Sequence, residues 1–150
     1  MQEHDKDFMK IAIELSLKNI EQGGGPFGAV IVKDGKIISQ ASNSVTANNY
    51  PTAHAEINAI RAACSILKKF DLSGCMIYTS CEPCPMCLGA IYWARISTIF
   101  YANTRSDAAN IGFIEIRHTF FRHIIKTLDC ANTFFLALEC TERAKIGEVV

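Results

Sequence analysis

The sequence predicts an α/β fold in which a sheet is covered by helices on both faces. Three observations lead there. Segments with helical and strand-like periodicity follow one another in the order α-β-β-α-β-α-β. Asp34-Gly35 sits between two strand-like runs, a strong signal for a hairpin turn. The later strands are joined through helices, a connection that makes them parallel.

Each element has a local reason. Residues 8–21 place Phe8, Ile11, Ala12, Leu15 and Ile20 on a helical stripe, and Gly23-Gly24-Gly25-Pro26 stops it. Residues 29–32 and 36–39 supply the hairpin strands, while residues 41–50, rich in Asn and Ser, read as a loop. Thr52 is suited to cap a helix that runs from Ala53 to about Leu67. Gly74 then precedes a strand over residues 75–79. Pro85 suits the first turn of a second helix ending near Ala94, and residues 96–101 form a further strand. Beyond residue 114, Phe120, Phe121, Ile124, Ile125 and Leu128 fit a helical face, whereas Phe134, Phe135, Leu136 and Leu138 fit strand or helix equally. No repeat, low-complexity tract or linker divides the chain, so residues 1–150 are expected to form one domain.

Composition narrows the function. With 150 residues, 49% of them hydrophobic, the chain can bury one core. No apolar run is long enough to span a bilayer. The polar, acidic start over residues 1–10 argues against a signal peptide. A formal net charge of zero gives no support for a nucleic-acid partner. Seven cysteines, an odd number without an export signal, point to a reduced, cytoplasmic setting.

Two short motifs carry the chemistry. T-A-H-A-E occupies residues 52–56 and C-E-P-C-P-M-C occupies residues 81–87. Together they read H-x-E followed by P-C-x-x-C, which matches a recognised signature of zinc-dependent nucleobase deaminases. His54, Cys84 and Cys87 provide the three protein ligands of a catalytic zinc, which keeps its fourth position open. Cys84 and Cys87 are three apart at a helix start, so both thiols can face one point, and the helix N-terminus favours their thiolates. His54 and Glu56 do not share a helical face, but side chains in a first turn lean toward the N-terminus and both can reach a metal there. Zinc lowers the pKa of its water to about 7, and Glu56 is placed to move the proton to the ring and the leaving amine.

A closed structural site, with Cys81 as fourth ligand, is the alternative; Glu56 counts against it, because such a site has no use for that carboxylate. His4, His118 and His123 lack ligand spacing. Cys64, Cys75, Cys130 and Cys140 read as small buried hydrophobes.

G-G-G-P-F-G-A-V-I-V at residues 23–32, N-N-Y-P-T-A-H-A-E at 48–56 and C-E-P-C-P-M-C-L-G-A-I-Y-W-A-R at 81–95 make the chain resemble the cytidine deaminase superfamily. Within it they look most like bacterial guanine deaminases. The tRNA adenosine deaminases share H-A-E and P-C-x-M-C, so tRNA-specific adenosine deamination, or action on another nucleobase or nucleoside, stays open beside guanine. The resemblance covers residues 8–113. It implies a three-layer α/β/α sandwich around a five-stranded mixed sheet, a homodimer, and hydrolytic conversion of guanine to xanthine and ammonia. It also maps pocket roles onto Asn43, for a purine hydrogen bond, Phe27, for ring stacking, and Trp93, an aromatic near the site. Their alternatives are a turn residue for Asn43, a core aromatic for Phe27 and helix packing for Trp93. The resemblance weakens at the C-terminus. G-F-I-E at residues 112–115 stands where the family has G-F-D-D, so Glu115 is either the pocket carboxylate or a solvated charge, and residues 114–150 diverge from the family's tail.

Overall fold

The computed structural model describes residues 3–110, 112 and 134–137. The elements are α1 (Glu3–Glu21), β1 (Gly28–Lys33), β2 (Lys36–Ser42), α2 (Val45–Asn48), α3 (Ala55–Leu67), β3 (Cys75–Cys81), α4 (Pro85–Trp93), β4 (Thr98–Asn103), α5 (Arg105–Asn110) and β5 (Phe134–Ala137). Asp34 and Gly35 take φ values of 49° and 72°, the left-handed pair that a two-residue hairpin turn requires. β1 therefore pairs antiparallel with β2. It also pairs antiparallel with β3, and β3 pairs parallel with β4 across the α4 crossover. Four strands thus make a mixed sheet within residues 3–112, and Phe134–Ala137 pairs parallel on the outer edge of β4, giving the order β2-β1-β3-β4-β5.

The two faces of the sheet are covered by different helices. Successive side chains of a strand point to opposite faces. Ala29, Ile31, Ile77 and Ile99 pack with Ala59 and Ala63 of α3 and Leu88 and Ile91 of α4. Val30, Val32, Tyr78 and Phe100 pack with Met9, Ala12 and Ile13 of α1. Tyr78 stacks on Phe100 at 4.7 Å, and its hydroxyl donates to Asp5 Oδ1 at 2.6 Å, tying the start of α1 to the sheet.

Several boundaries differ from the sequence expectation. α3 begins at Ala55 with His54 as its N-cap, not Thr52. Ala53 is held outside the helix, its N–H donating to Tyr50 O at 3.0 Å and its carbonyl accepting from Ser44 N at 2.9 Å. The expected loop at 41–50 contains the end of β2 and the single turn of α2. Of the segment that fitted strand or helix, residues 134–137 are strand. Glu115, Leu138, Cys130, Cys140, His118, His123 and the possible helical face at 120–128 lie outside the described residues.

The topology concentrates loops at one edge. β3 and β4 end there with Cys81 paired to Asn103. β2 also ends there, and β1, running the other way, begins there with Gly28 paired to Ser42. The carboxyl ends of parallel strands are where α/β sheets place ligands.

Candidate active site

The two motifs meet at that edge. His54 is the N-cap of α3 and Cys84 the N-cap of α4, with Pro85 opening the helix as its fixed φ favours. His54 Nδ1 lies 3.7 Å from Cys84 Sγ and 3.6 Å from Cys87 Sγ. A tetrahedral zinc with usual Zn–N and Zn–S bonds separates such ligands by about 3.6 Å, so the three donors fit the metal. Among the described residues they are the group of His, Cys, Asp and Glu able to hold an ion. Cys81 does not join them: its Sγ is 3.6 Å from Thr104 O, directed to that carbonyl.

The electrostatics suit a thiolate-binding cation. The Cys84 thiol is pulled down to about 4, first by its hydrogen bond with Cys87 and then, against the opposing effect of burial, by His54. Cys87 is pushed upward by the same hydrogen bond and by burial. Glu56, 8% exposed, has its carboxyl raised to about 7, chiefly by burial, with a backbone hydrogen bond opposing. A carboxyl so poised can both take and return a proton near neutral pH.

These groups open into a cavity of about 530 Å³. Phe27 and Asn43 line it together with His54, Glu56 and Cys84, so these three motif residues and two of the expected base contacts share one space. Phe27 also packs against the core. Trp93 does not reach the cavity; it is 78% exposed at the end of α4, with Tyr92 edge-on at 6.0 Å. Glu82 and Arg105 line the cavity too, a pair that sequence reasoning missed. The Glu82 carboxylate accepts from the Arg105 guanidinium and from its backbone N–H at 3.1 Å, holding the start of α5 against the P-C-x-x-C loop. The available signal was the position of Glu82 inside C-E-P-C.

An α/β sheet that carries an open three-ligand metal centre beside a buried carboxylate defines the zinc-dependent deaminase class. A family model described as the cytidine and deoxycytidylate deaminase zinc-binding region matches residues 2–103. The chain belongs to this family, and His54, Cys84 and Cys87 are grouped as the three protein donors of a metal site would be. Guanine deaminase from Bacillus subtilis (strain 168) is 59% identical over 107 residues, covering 71% of this chain and 69% of the relative. An X-ray structure of guanine deaminase from Bacillus subtilis superimposes with a TM-score of 0.73 and 46% identity, covering 99% of this chain and 92% of that one. A tRNA-specific adenosine deaminase from Aquifex aeolicus (strain VF5) is 44% identical over 95 residues, 63% of each chain.

Proposed function

We propose that this chain is a zinc-dependent aminohydrolase that converts a purine base, guanine first, to its oxo product and ammonia. The observation that carries the reading is one cavity lined at once by His54, Cys84, Glu56, Phe27 and Asn43. The 59% identity to a guanine deaminase supports guanine over the alternatives.

Zinc, when bound, supplies Lewis-acid activation of water near neutral pH. The chain's own residues do the rest. Phe27 offers a ring face for a planar base, and Asn43 offers its side-chain amide to the purine edge. Glu56 takes one proton of the attacking water and delivers it to a ring nitrogen, then carries the second, from the hydroxyl left on the ring carbon, to the departing amine. A C–O bond forms, the C–N bond breaks, and one water is consumed for each ammonia released.

Action on adenosine in tRNA is the second reading. It calls for a basic groove, whereas Arg105, the cation of the described cavity wall, is ion-paired with Glu82. Ammonia release from guanine by the zinc-loaded protein is the expected result. Turnover of a tRNA anticodon stem with none of guanine would replace the first reading by the second.

We further assign residues 1–150 to one cytoplasmic domain, a three-layer α/β/α sandwich whose sheet has five strands, with a divergent segment over 114–150. Tyr92 and Trp93, exposed on α4, supply apolar surface for a homodimer, whereas Ile91 and Phe100 are buried. Sedimentation equilibrium is expected to give twice the chain mass, and Trp93→Glu to lower it toward that of one chain.

A further inference from the structure

Asn43 is held by two other asparagines that come from opposite faces of the sheet. Asn19, near the end of α1, donates its side-chain amide to Asn43 O at 2.8 Å and to Gly25 O at 2.8 Å. Asn58, in the first turns of α3, donates to the preceding carbonyl, Ser42 O, at 3.0 Å, and also to Ser44 Oγ and Ala53 O. Two successive carbonyls are therefore fixed from two helices. The Asn43 N–H donates to Phe27 O at 3.0 Å, and its Oδ1 accepts from Val45 N at 3.1 Å. With Oδ1 engaged, the amide's NH2 end is the part left to meet a ligand. Gly24 completes the junction: a Cβ there would lie 2.4 Å from Asn19 Nδ2, so only glycine lets the Asn19 amide reach both carbonyls.

We propose that Asn19 and Asn58 are positioning residues for the base: they fix the peptide on either side of Asn43, so that Asn43 and Phe27 face the bound purine as one rigid wall. This rests on the reading of the cavity as the base site. Neither asparagine lines the cavity, so they act through the backbone of Ser42, Asn43 and Gly25. A wall that is fixed before binding spares the ordering cost that a loose one incurs on association. Its contribution is made equally in the ground and transition states, which places it in KM rather than kcat.

Asn19→Asp keeps the shape and turns oxygens toward the two carbonyls. With guanine as substrate and the zinc-loaded protein, KM is expected to rise about tenfold or more while kcat changes less than about threefold. The zinc-to-protein ratio is expected to stay at the wild-type value. Tyr78→Phe, which loses a buried hydrogen bond far from the cavity, serves as the control for general destabilisation. An Asn19→Asp KM within about twofold of wild type, or an equal rise in Tyr78→Phe, overturns the proposal. Amide hydrogen exchange decides it without turnover: faster exchange at Asn43 and Val45 in Asn19→Asp supports it, and unchanged exchange overturns it. A wild-type protein that turns over no purine base, yet shows the faster exchange in the variant, sinks the base-site reading and not the clamp.

Discussion

Glu56 combines burial with the chemistry of a proton carrier. It is 8% exposed and its carboxyl is raised to about 7 by that burial. Glu56→Gln keeps the size and the fold but cannot take a proton. Activity is expected to fall about 10²- to 10⁴-fold with zinc content unchanged, measured as ammonia release beside metal analysis. Retained activity would remove Glu56 from the reaction. Residues of this kind were legible in the sequence because metal ligation and proton transfer admit few side-chain types, so His54, Glu56, Cys84 and Cys87 stand out by identity and spacing. Phe27 and Asn43 reach the cavity as their mapped roles require, but Trp93 faces outward, a matter of helix rotation that identity alone does not reveal. The Glu82–Arg105 pair was illegible for a different reason. Its partners are 23 positions apart and meet only because β3 and β4 end side by side.

The elements themselves were largely legible from periodicity and turn chemistry, and their boundaries less so. α3 starts two residues later than Thr52 would dictate because Ser44 N engages the carbonyl of Ala53. That bond joins the loop after β2 to the helix entry, and no local pattern announces it. α1 shows how one element is anchored. The Tyr78 hydroxyl donates to buried Asp5, and burial first, then Asp5, raises the phenol's pKa above its ordinary value near 10. The unfolded phenol therefore ionises at lower pH than the folded one. The resulting stability is complete below pH 10 and is lost as pH rises above it. Tyr78→Phe is expected to lower stability at neutral pH by about 1–2 kcal/mol and to show a shallower alkaline decline. Urea unfolding from about pH 8 to 11 measures both. An alkaline slope identical to wild type would show that the titration lies elsewhere.

At the scale of the molecule, one edge of the sheet gathers everything the chemistry needs. The glycine loop before β1, Asn43 after β2, the P-C-x-x-C loop after β3 and Arg105 after β4 all line the same cavity. This convergence follows from strand direction, since β1 begins where β2, β3 and β4 end. The sequence suggested the order of strands but not which ends would share a cavity, because that depends on pairing between distant segments.

The position of the metal ligands at two helix starts has a further consequence. His54 and Cys84 are thirty positions apart, so an ion shared between them closes a loop that the unfolded chain leaves open. Coordination then acts as a removable cross-link, and its binding energy adds to folding energy. Melting temperature is expected to climb with free zinc according to mass action and to drop by several degrees under a chelator, as differential scanning fluorimetry would register. An unchanged melting curve would mean that the ion does not fasten these helices. The ion that equips the cavity for deamination thereby also governs how long the protein survives heat or proteolysis in a zinc-poor medium.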